Sequence, residues 1–352
     1  MTPALHVLPL PGIPEIRAGD DLAAVLVGAL GAAGLSLLDG DVVAVSSKVV
    51  SKALGLVGPV GEREAVVAAQ SREVLAERIA PHGPTRVVRA AAGPVMAAAG
   101  VDASNTGGRD VLLLLPHDPD AVCRDLRARL VAASGTTRLG VLLTDTAGRP
   151  WRVGQTDLAL GAAGMRVLDD LRGGVDADGR TLHVTARAVA DEVAAAADLV
   201  KGKTSGVPAV LVRGLDAWVG DADEPGAGSL VRQGESDWFA AGSQEAVRAA
   251  LGVPPGSSLA RAVGVRPTGS EPPAARVARA VRVALATGLT AQVDVGPDRI
   301  EVGGADPLVV GMVAARLDAA LRGEGVEHTE PHPMAGRAVL ALAGQADPPG
   351  DR

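Results

Sequence analysis

The sequence is poor in the residues that mark disulfide frameworks, membrane segments and aromatic cores. Aromatic residues make up 1% of the chain and Tyr is absent, so Ala, Val, Leu and Gly must fill the core. The single cysteine, Cys123, excludes an intrachain disulfide and a thiolate metal cluster, and we interpret it as a core residue. Apolar runs stay below the roughly 18 residues that span a bilayer, and the first residues lack a signal-peptide pattern. We therefore expect a cytoplasmic protein without a membrane partner.

The chain also lacks an excess of basic residues. Lys and Arg together number 34 against 41 Asp and Glu, which gives a net charge of −7. Proteins that bind nucleic acids present basic surfaces to the phosphates, so this balance argues against a nucleic-acid partner. Apolar residues make up 47% of the 352 residues, which allows a sizeable core and predicts two structural units.

Patterns typical of strands and helices alternate along the chain and change character near residue 243. Apolar β-branched runs such as "GDVVAVS" and "LGVLLTDT" predict buried strands, and "TARAVADEVAAAADLVKGK" predicts an amphipathic helix. A further helix is predicted over residues 62–80. The expected fold class is α+β, with mixed sheets and packed helices. We place a first domain at 1–242, a small α+β domain at 243–345 and a disordered tail at 346–352.

Polar residues follow several of the predicted strands. Ser46, Ser47 and Lys52 come after the first buried strand and suit phosphate oxygens, although an exposed, Ser-capped helix start explains them equally well. Asp145 and Thr146 end a second buried strand and offer the oxygen ligands that Mg²⁺ prefers, with an Asp-capped turn as the alternative.

The loop "GVDASNTGG" contributes Asp102 and Asn105, for which ordinary turn residues are the simpler interpretation. The segment 202–204, Gly-Lys-Thr, imitates the end of a phosphate-binding P-loop. Ala197 occupies the position of the required first Gly, inside a helical pattern, so we reject a P-loop. Asp191 and Glu192 are expected on the solvated face of the same helix.

Five motifs in this order resemble those of the coenzyme F420:L-glutamate ligases, also called F420-0:γ-glutamyl ligases, in their actinobacterial form. They are "LPLPGIPEI", "GDVVAVSSKVVSKALG", "AAAGVDASN", "LLTDTAGRPWRVGQTDLALGAAG" and the segment from "VTARAVADEV" to "GVPAVLVRGL", and they span roughly residues 5 to 240. The resemblance implies a GTP- and divalent-metal-dependent enzyme that adds L-glutamate to the deazaflavin precursor F420-0. Further γ-linked glutamates follow, through an acyl phosphate. It also implies a cytoplasmic homodimer whose small-molecule partners are F420-0, L-glutamate and GTP.

The resemblance also implies roles for individual residues. The implied GTP contacts are Pro11, Gly12, Ile13, Pro14, Ser46, Ser47, Lys52 and Asn105. Asp102 and Asp145 match ligands of a first metal and Thr146 a ligand of a second, with Mg²⁺ or Mn²⁺ as the ion and K⁺ as a further candidate cofactor. A last GTP segment is expected within Asp221 to Leu230, where the match is loose.

The remaining residues of the "TDT" motif are interpreted from their types. Arg149, Arg152 and Gln155 would receive the anionic substrate and act with Lys52 as the catalytic set, because Arg suits carboxylate and phosphate oxygens. Trp151 would pack under the loop or against the deazaflavin ring. The stretch "AAAGPVMA" lacks the polar residues usual in the family, so substrate contacts there are expected to be lost.

Two function classes remain open on the sequence. One is an active ligase, and the other is a catalytically silent nucleotide-binding or regulatory homologue. The retained Asp102, Asn105, Asp145, Thr146 and Lys52 favour the enzyme. The motifs of the flavin-dependent, nitroreductase-like domain that follows in many actinobacterial relatives are not recognisable after residue 243, so neither FMN nor reductase activity is expected.

Overall fold

The computed structural model describes residues 4–80, 83–220, 224–233, 237, 242–267 and 271–343. By its contacts the chain divides into two units, one of residues 1–72 and 88–236 and one of residues 73–87 and 237–352. The predicted tail at 346–352 lies outside the described residues. Within the described part, no helix is long and apolar enough to cross a membrane.

The strands and helices up to residue 236 include a hairpin of residues 71–90, and residues 73–87 of this hairpin belong to the second unit. The strands are β1 (His6–Pro9), β2 (Asp41–Ser46), β3 (Val57–Pro59), β4 (Ser71–Ala80), β5 (Gly83–Ala90), β6 (Val95–Ala97), β7 (Val111–Leu113), β8 (Leu139–Arg149), β9 (Arg152–Ala163), β10 (Asp169–Asp170), β11 (Ala186–Arg187) and β12 (Ala209–Arg213). The helices are α1 (Leu22–Ala32), α2 (Ser47–Ala53), α3 (Arg63–Ala69), α4 (Pro119–Ser134) and α5 (Val189–Lys201).

A five-stranded sheet in the order β1-β12-β2-β8-β9 organises the first unit. β2 and β8 are its parallel neighbours, with Ser46 opposite Thr144, so the carboxyl ends of both strands lie at one edge. β9 returns antiparallel to β8, which sets Thr146 opposite Asp157. The β-branched run of β2 is wholly buried in this sheet, as its sequence predicts. The polar residues that follow β2 and β8 therefore meet at one edge of the sheet.

Helix α5 covers one face of this sheet with residues at the predicted helical spacing. Val189, Val193 and Ala197 are buried against a core that includes Val42, Leu142 and Val210 of the strands. The same spacing continues to Lys201, which is also buried, so the apolar face of α5 ends in an ammonium group.

The second unit adds α6 (Ser243–Ala250), α7 (Ser258–Val263), β13 (Arg266–Pro267), α8 (Pro273–Leu285), β14 (Gln292–Val295), β15 (Arg299–Gly303), α9 (Pro307–Gly323), β16 (His332–Met334) and β17 (Arg337–Ala341). An antiparallel sheet in the order β14-β15-β17-β16 shares a core with helices α8 and α9. The fold class is thus α+β, as the sequence predicts.

The predicted helix over residues 62–80 is wrong beyond Ala69. Helix α3 ends there, and residues 71–80 form β4, which pairs in parallel with β13 of the second unit. Buried Glu77 accepts hydrogen bonds from Arg86 Nε at 3.0 Å and from the backbone N–H of Gly256 at 2.8 Å. These distant partners override the local helical pattern of "REVLAERIA", because tertiary context outweighs propensity.

Candidate functional site

A cavity of about 500 Å³ opens at the sheet edge where β2 and β8 end. It is lined by residues 13–16 after β1, by Ser46, Lys48, Val49 and Lys52, by Asn105 and Gly107, by Asp145, Thr146 and Asp157, and by Asp198, residues 201–204 and residues 206–208. Five separate parts of the first unit thus supply charged, hydroxyl or amide groups to one concave surface, which is typical of a binding site.

Two lysines of α2 extend toward carboxylates on neighbouring loops. Lys52 is only 5% exposed, and its Nζ donates to Glu15 Oε1 at 2.6 Å, whereas the Glu15 side chain is 50% exposed. Lys48 Nζ forms a short ion pair with Asp102 and donates to Ser104 Oγ at 3.0 Å. The expectation of an exposed helix start is wrong for Lys52, because α2 packs this side chain into the cavity wall.

Asp102 is held as an ionised carboxylate. Burial opposes its charge, but hydrogen bonds from Lys48 and Ser104 lower the pKa of Asp102 below its ordinary value. The Ser104 backbone N–H and hydroxyl donate to it at 2.8 and 2.9 Å. Asp102 therefore anchors Lys48, while Lys48 itself lines the cavity.

Asp145 has a different electrostatic environment. Burial raises the pKa of Asp145 to about 6, against a hydrogen bond from Ser47 Oγ at 2.6 Å and the charge of Lys48; nearby Asp157 and Asp102 raise it further. A carboxylate that is partly desolvated among other carboxylates is poised to accept a cation.

Behind Asp145 lies a buried group that the sequence analysis did not assign. Asp157 Oδ1 accepts from Thr146 Oγ1 at 2.8 Å, and Asp157 Oδ2 accepts from Thr144 Oγ1 at 2.7 Å and from Lys201 Nζ at 2.6 Å. Asp157 and Lys201 are 4% and 3% exposed. The helical spacing Val193, Ala197, Lys201 was the available signal, since a lysine on a buried face requires a carboxylate partner.

The segment that imitates a P-loop forms part of the cavity wall. Helix α5 leads into it and no strand does, in agreement with the rejection of a P-loop. Lys203 and Thr204 nevertheless line the cavity, and the Lys203 carbonyl accepts a long 3.5 Å hydrogen bond from Asn105 Nδ2. Asn105 has a φ of 57°, a conformation that Asn adopts more readily than most residues.

The structure brings most of the predicted site residues to this edge and leaves others apart. Ile13, Pro14, Ser46, Lys52, Asn105, Asp145 and Thr146 line the cavity, whereas Pro11, Gly12, Ser47 and Asp102 flank it without lining it. Residues 221–223 of the last predicted GTP segment lie outside the described residues. In its described part, the backbone N–H groups of Ala227 and Gly228 donate to Asp120, away from the lining.

Arg149, Arg152 and Gln155 lie at the exposed end of the β8–β9 hairpin and are not among the lining residues. Gly148 pairs with Gln155 and Arg149 with Arg152, and Trp151 at the turn is 82% exposed with a φ of 57°. A bulky residue in the left-handed region is strained, and such strain is often found where a side chain is presented for function.

Asp191 is not on a solvated face as predicted, although Glu192 is exposed. Asp191 is half-buried and accepts a hydrogen bond from the Ala159 N–H at 2.9 Å, beside the bulge between Leu143 and Thr144. Burial raises the pKa of Asp191. Asp191 therefore satisfies a backbone donor of β9.

Comparison with known proteins assigns this arrangement to a family. A sequence model described as F420-0:Gamma-glutamyl ligase matches residues 12–214, which include every residue that lines the cavity. Proteins named coenzyme F420:L-glutamate ligase are 40% identical in Halobacterium salinarum (strain ATCC 29341 / DSM 671 / R1), 38% in Haloarcula marismortui and 37% in Archaeoglobus fulgidus. Each similarity covers 66% of this chain and 95% of the relative. The chain belongs to the F420-0:gamma-glutamyl ligase family.

Proposed function

We propose that this protein joins L-glutamate to the lactyl carboxylate of F420-0 with GTP as the energy source, and then extends the product by γ-linked glutamates. The observation that carries this proposal is the cavity at the ends of β2 and β8, where two lysines lie beside a cation-accepting carboxylate, Asp145. The family membership and the names of the relatives supply the substrates.

The cationic side of the cavity suits a nucleotide triphosphate. Lys48, Lys52 and Lys203 line it together, and Ser46 and Asn105 add polar contacts. Lys52 is buried and already held by Glu15, so a phosphate oxygen would replace one anionic partner with another at little cost in desolvation. In this proposal the loop of residues 13–16, which carries Glu15, adjusts when GTP binds.

The donor set on the acidic side fits a divalent metal. Asp145, Thr146 and Asp102 offer carboxylate and hydroxyl oxygens, the ligands of Mg²⁺ and Mn²⁺. Within the described ranges, no group of three or more His, Cys, Asp or Glu residues could hold a metal ion. Such a sparse set is typical of Mg²⁺, which binds through one or two carboxylates together with water and substrate phosphates. A bound metal would offset the negative charge of the triphosphate, and K⁺ stays a candidate for a further ion.

The proposed reaction has two steps. An oxygen of the lactyl carboxylate first bonds to the γ-phosphorus of GTP as the bond to GDP breaks, which converts a poor acyl donor into an acyl phosphate. The amine of glutamate then attacks the acyl carbon, phosphate leaves, and the amine proton passes to solvent. Lys48 and Lys52 stabilise the charge that accumulates when two anions approach each other.

Arg149, Arg152 and Gln155 are proposed to receive the anionic parts of F420-0 and glutamate. Their exposure at the hairpin end leaves them accessible to a large substrate or to a second subunit of the proposed homodimer. Trp151 offers an exposed aromatic surface beside them for the deazaflavin ring.

The test is turnover by the full-length protein. It is incubated with F420-0, L-glutamate, GTP and Mn²⁺ or Mg²⁺, products are identified by mass spectrometry, and GDP release is followed in parallel. We expect γ-glutamyl products and GDP release that requires both F420-0 and glutamate. GTP binding without any product would instead support the silent nucleotide-binding alternative.

A further inference from the structure

The buried contacts of Asp157 give the Thr146 hydroxyl a fixed direction. Thr146 and Asp157 are direct cross-strand partners on β8 and β9, and the Thr146 Oγ1 to Asp157 Oδ1 distance is 2.8 Å. An ionised carboxylate accepts hydrogen bonds and donates none, so the hydroxyl hydrogen belongs to this bond. Thr146 lines the cavity, and its Oγ1 therefore presents lone pairs to the cavity.

Lys201 determines which carboxylate oxygen is left for Thr146. Its Nζ donates to Asp157 Oδ2 at 2.6 Å, and Thr144 Oγ1 donates to the same oxygen at 2.7 Å. Both groups are buried, and the Lys201 ammonium supplies the counter-charge of the Asp157 carboxylate. Among the described contacts, the hydrogen bond that Oδ1 accepts comes from Thr146. If the Asp157–Lys201 pair only attached α5 to the sheet, the additional hydrogen bond from Thr146 to Asp157 would not be needed.

We propose that Asp157, held by Lys201, is a positioning residue that keeps Thr146 as a lone-pair donor toward a divalent cation in the cavity. The inference rests on the proposed function, because it takes Thr146 as a metal ligand. It adds to that function two residues, Asp157 and Lys201, which orient the neutral Thr146 hydroxyl so that it can bind a metal ion. Outer partners of this kind orient the groups that touch the metal and tune its affinity.

The sharpest test replaces Asp157 with Asn and measures Mn²⁺ binding by the full-length protein. Next to the Lys201 ammonium, the amide oxygen of Asn must occupy the Oδ2 position, so its NH₂ group points at Thr146 Oγ1 and donates to it. The polarity of Thr146 is thereby reversed at almost unchanged volume. We expect Asp157→Asn to weaken Mn²⁺ binding about 10–100-fold, measured as free Mn²⁺ by electron paramagnetic resonance.

A double variant separates polarity from simple loss of structure. In Asp157→Asn/Lys201→Met the amide is free to turn over, so its oxygen accepts from Thr146 again, and most of the Mn²⁺ affinity should return. Thr144→Val is the matched control, since it removes the hydroxyl that donates to Asp157 Oδ2 and accepts from Lys201 Nζ, while the Thr146 to Asp157 Oδ1 hydrogen bond stays. Its Mn²⁺ affinity should equal that of the wild type even if its melting temperature falls.

The outcomes distinguish this inference from the proposed function. If the wild type binds Mn²⁺ and a folded Asp157→Asn protein binds it equally well, the positioning role is overturned and the ligase proposal stands. If the double variant binds as weakly as Asp157→Asn, the polarity argument is overturned. A wild type that binds neither Mn²⁺ nor GTP overturns the proposed function and this inference together. Circular dichroism of each variant establishes that the measured protein is folded.

Discussion

Both units bury charged side chains, but they satisfy them in opposite ways. In the second unit, Glu324 accepts from Arg248 at 2.6 Å and from Arg279 at 2.7 Å, and Arg279 also binds Glu271 through two nitrogens. Although burial opposes both charges, these contacts lower the pKa of Glu324 and raise that of Arg279. Both oxygens of Glu324 and both oxygens of Glu271 therefore accept hydrogen bonds from guanidinium groups.

At the cavity of the first unit, the carboxylate of Asp145 is matched less completely. Asp145 accepts a hydrogen bond from the neutral hydroxyl of Ser47, and the pKa of Asp145 is raised rather than lowered. Lys48 and Lys52 each bind a carboxylate on a surface loop instead of one in the core. Ion pairs that engage both oxygens of a carboxylate stabilise a fold, whereas a carboxylate that lacks a cationic hydrogen-bond partner beside a cavity retains the capacity to bind a ligand. Substitutions in the two clusters should therefore have opposite consequences.

The largest expected effect is the loss of ligase activity when Asp145 is replaced. Asp145→Asn should keep the fold and abolish ligation, because the amide lacks the charge that holds a cation. It should also stabilise the metal-free protein. The folded pKa of about 6 lies above the ordinary 3.8, so the contribution of Asp145 to stability is complete below about pH 4 and is lost as pH rises through 6.

At pH 8 the variant should exceed the wild type by about 1–3 kcal/mol, and at pH 4 the difference should vanish. Thermal unfolding with EDTA at both pH values measures it, together with product formation by mass spectrometry. A folded variant with normal turnover would contradict the metal role of Asp145.

The corresponding change in the second unit should act on stability. Glu324→Gln leaves buried Arg248 without its carboxylate and Arg279 with Glu271 alone, and it should cost about 3–5 kcal/mol. Glu301 is the matched control, since it pairs with Arg299 and Arg337 at a more exposed position, and Glu301→Gln should leave the melting temperature nearly unchanged. Hydrogen exchange over residues 243–343 would locate the loss. Equal effects of the two substitutions would contradict the contrast between buried and exposed ion pairs.

Replacement of Lys52 should have an intermediate effect, measured as kcat/KM for GTP. Lys52→Met keeps the buried alkyl packing and removes the ammonium, and it should lower kcat/KM for GTP about 100-fold, or roughly 3 kcal/mol. Glu15→Gln leaves Lys52 charged but weakens its present partner, so KM for GTP should fall or stay constant. Steady-state kinetics with varied GTP tests both variants. A Lys52→Met enzyme with unaltered GTP kinetics would remove Lys52 from the phosphate site.

The smallest effect is expected at Asp191. Asp191→Ala leaves the Ala159 N–H without the acceptor that it has at 2.9 Å, which should cost about 1–2 kcal/mol of stability. Asp191→Asn preserves an acceptor oxygen and should cost less. Chemical denaturation of the two variants measures the difference, and equal stabilities would show that water replaces the side chain.

The sequence predicted the strands β2 and β8, the amphipathic α5 and the small α+β segment after residue 243 because those patterns are local. It failed at residues 71–80, where a helical pattern forms β4 and Glu77 finds its partners in Arg86 and Gly256. This hairpin belongs to the second unit. A fragment that ends at residue 242 would keep the hairpin but lose Gly256, whose N–H donates to the Glu77 carboxylate, and Glu245, whose carboxylate accepts from the Glu77 N–H.

The sequence alone also determined the family, because five motifs in register are carried by the identities of their residues. Among the polar residues that line the cavity, it assigned roles to Ser46, Lys52, Asn105, Asp145 and Thr146. The tertiary structure decided which of those groups work together. Helical spacing can indicate that Lys201 is buried, but only the packing of α5 on the sheet pairs it with Asp157, 44 positions away. The direction of the Thr146 hydroxyl follows from that pairing, since a hydrogen bond is set by distances between atoms that the order of residues does not contain.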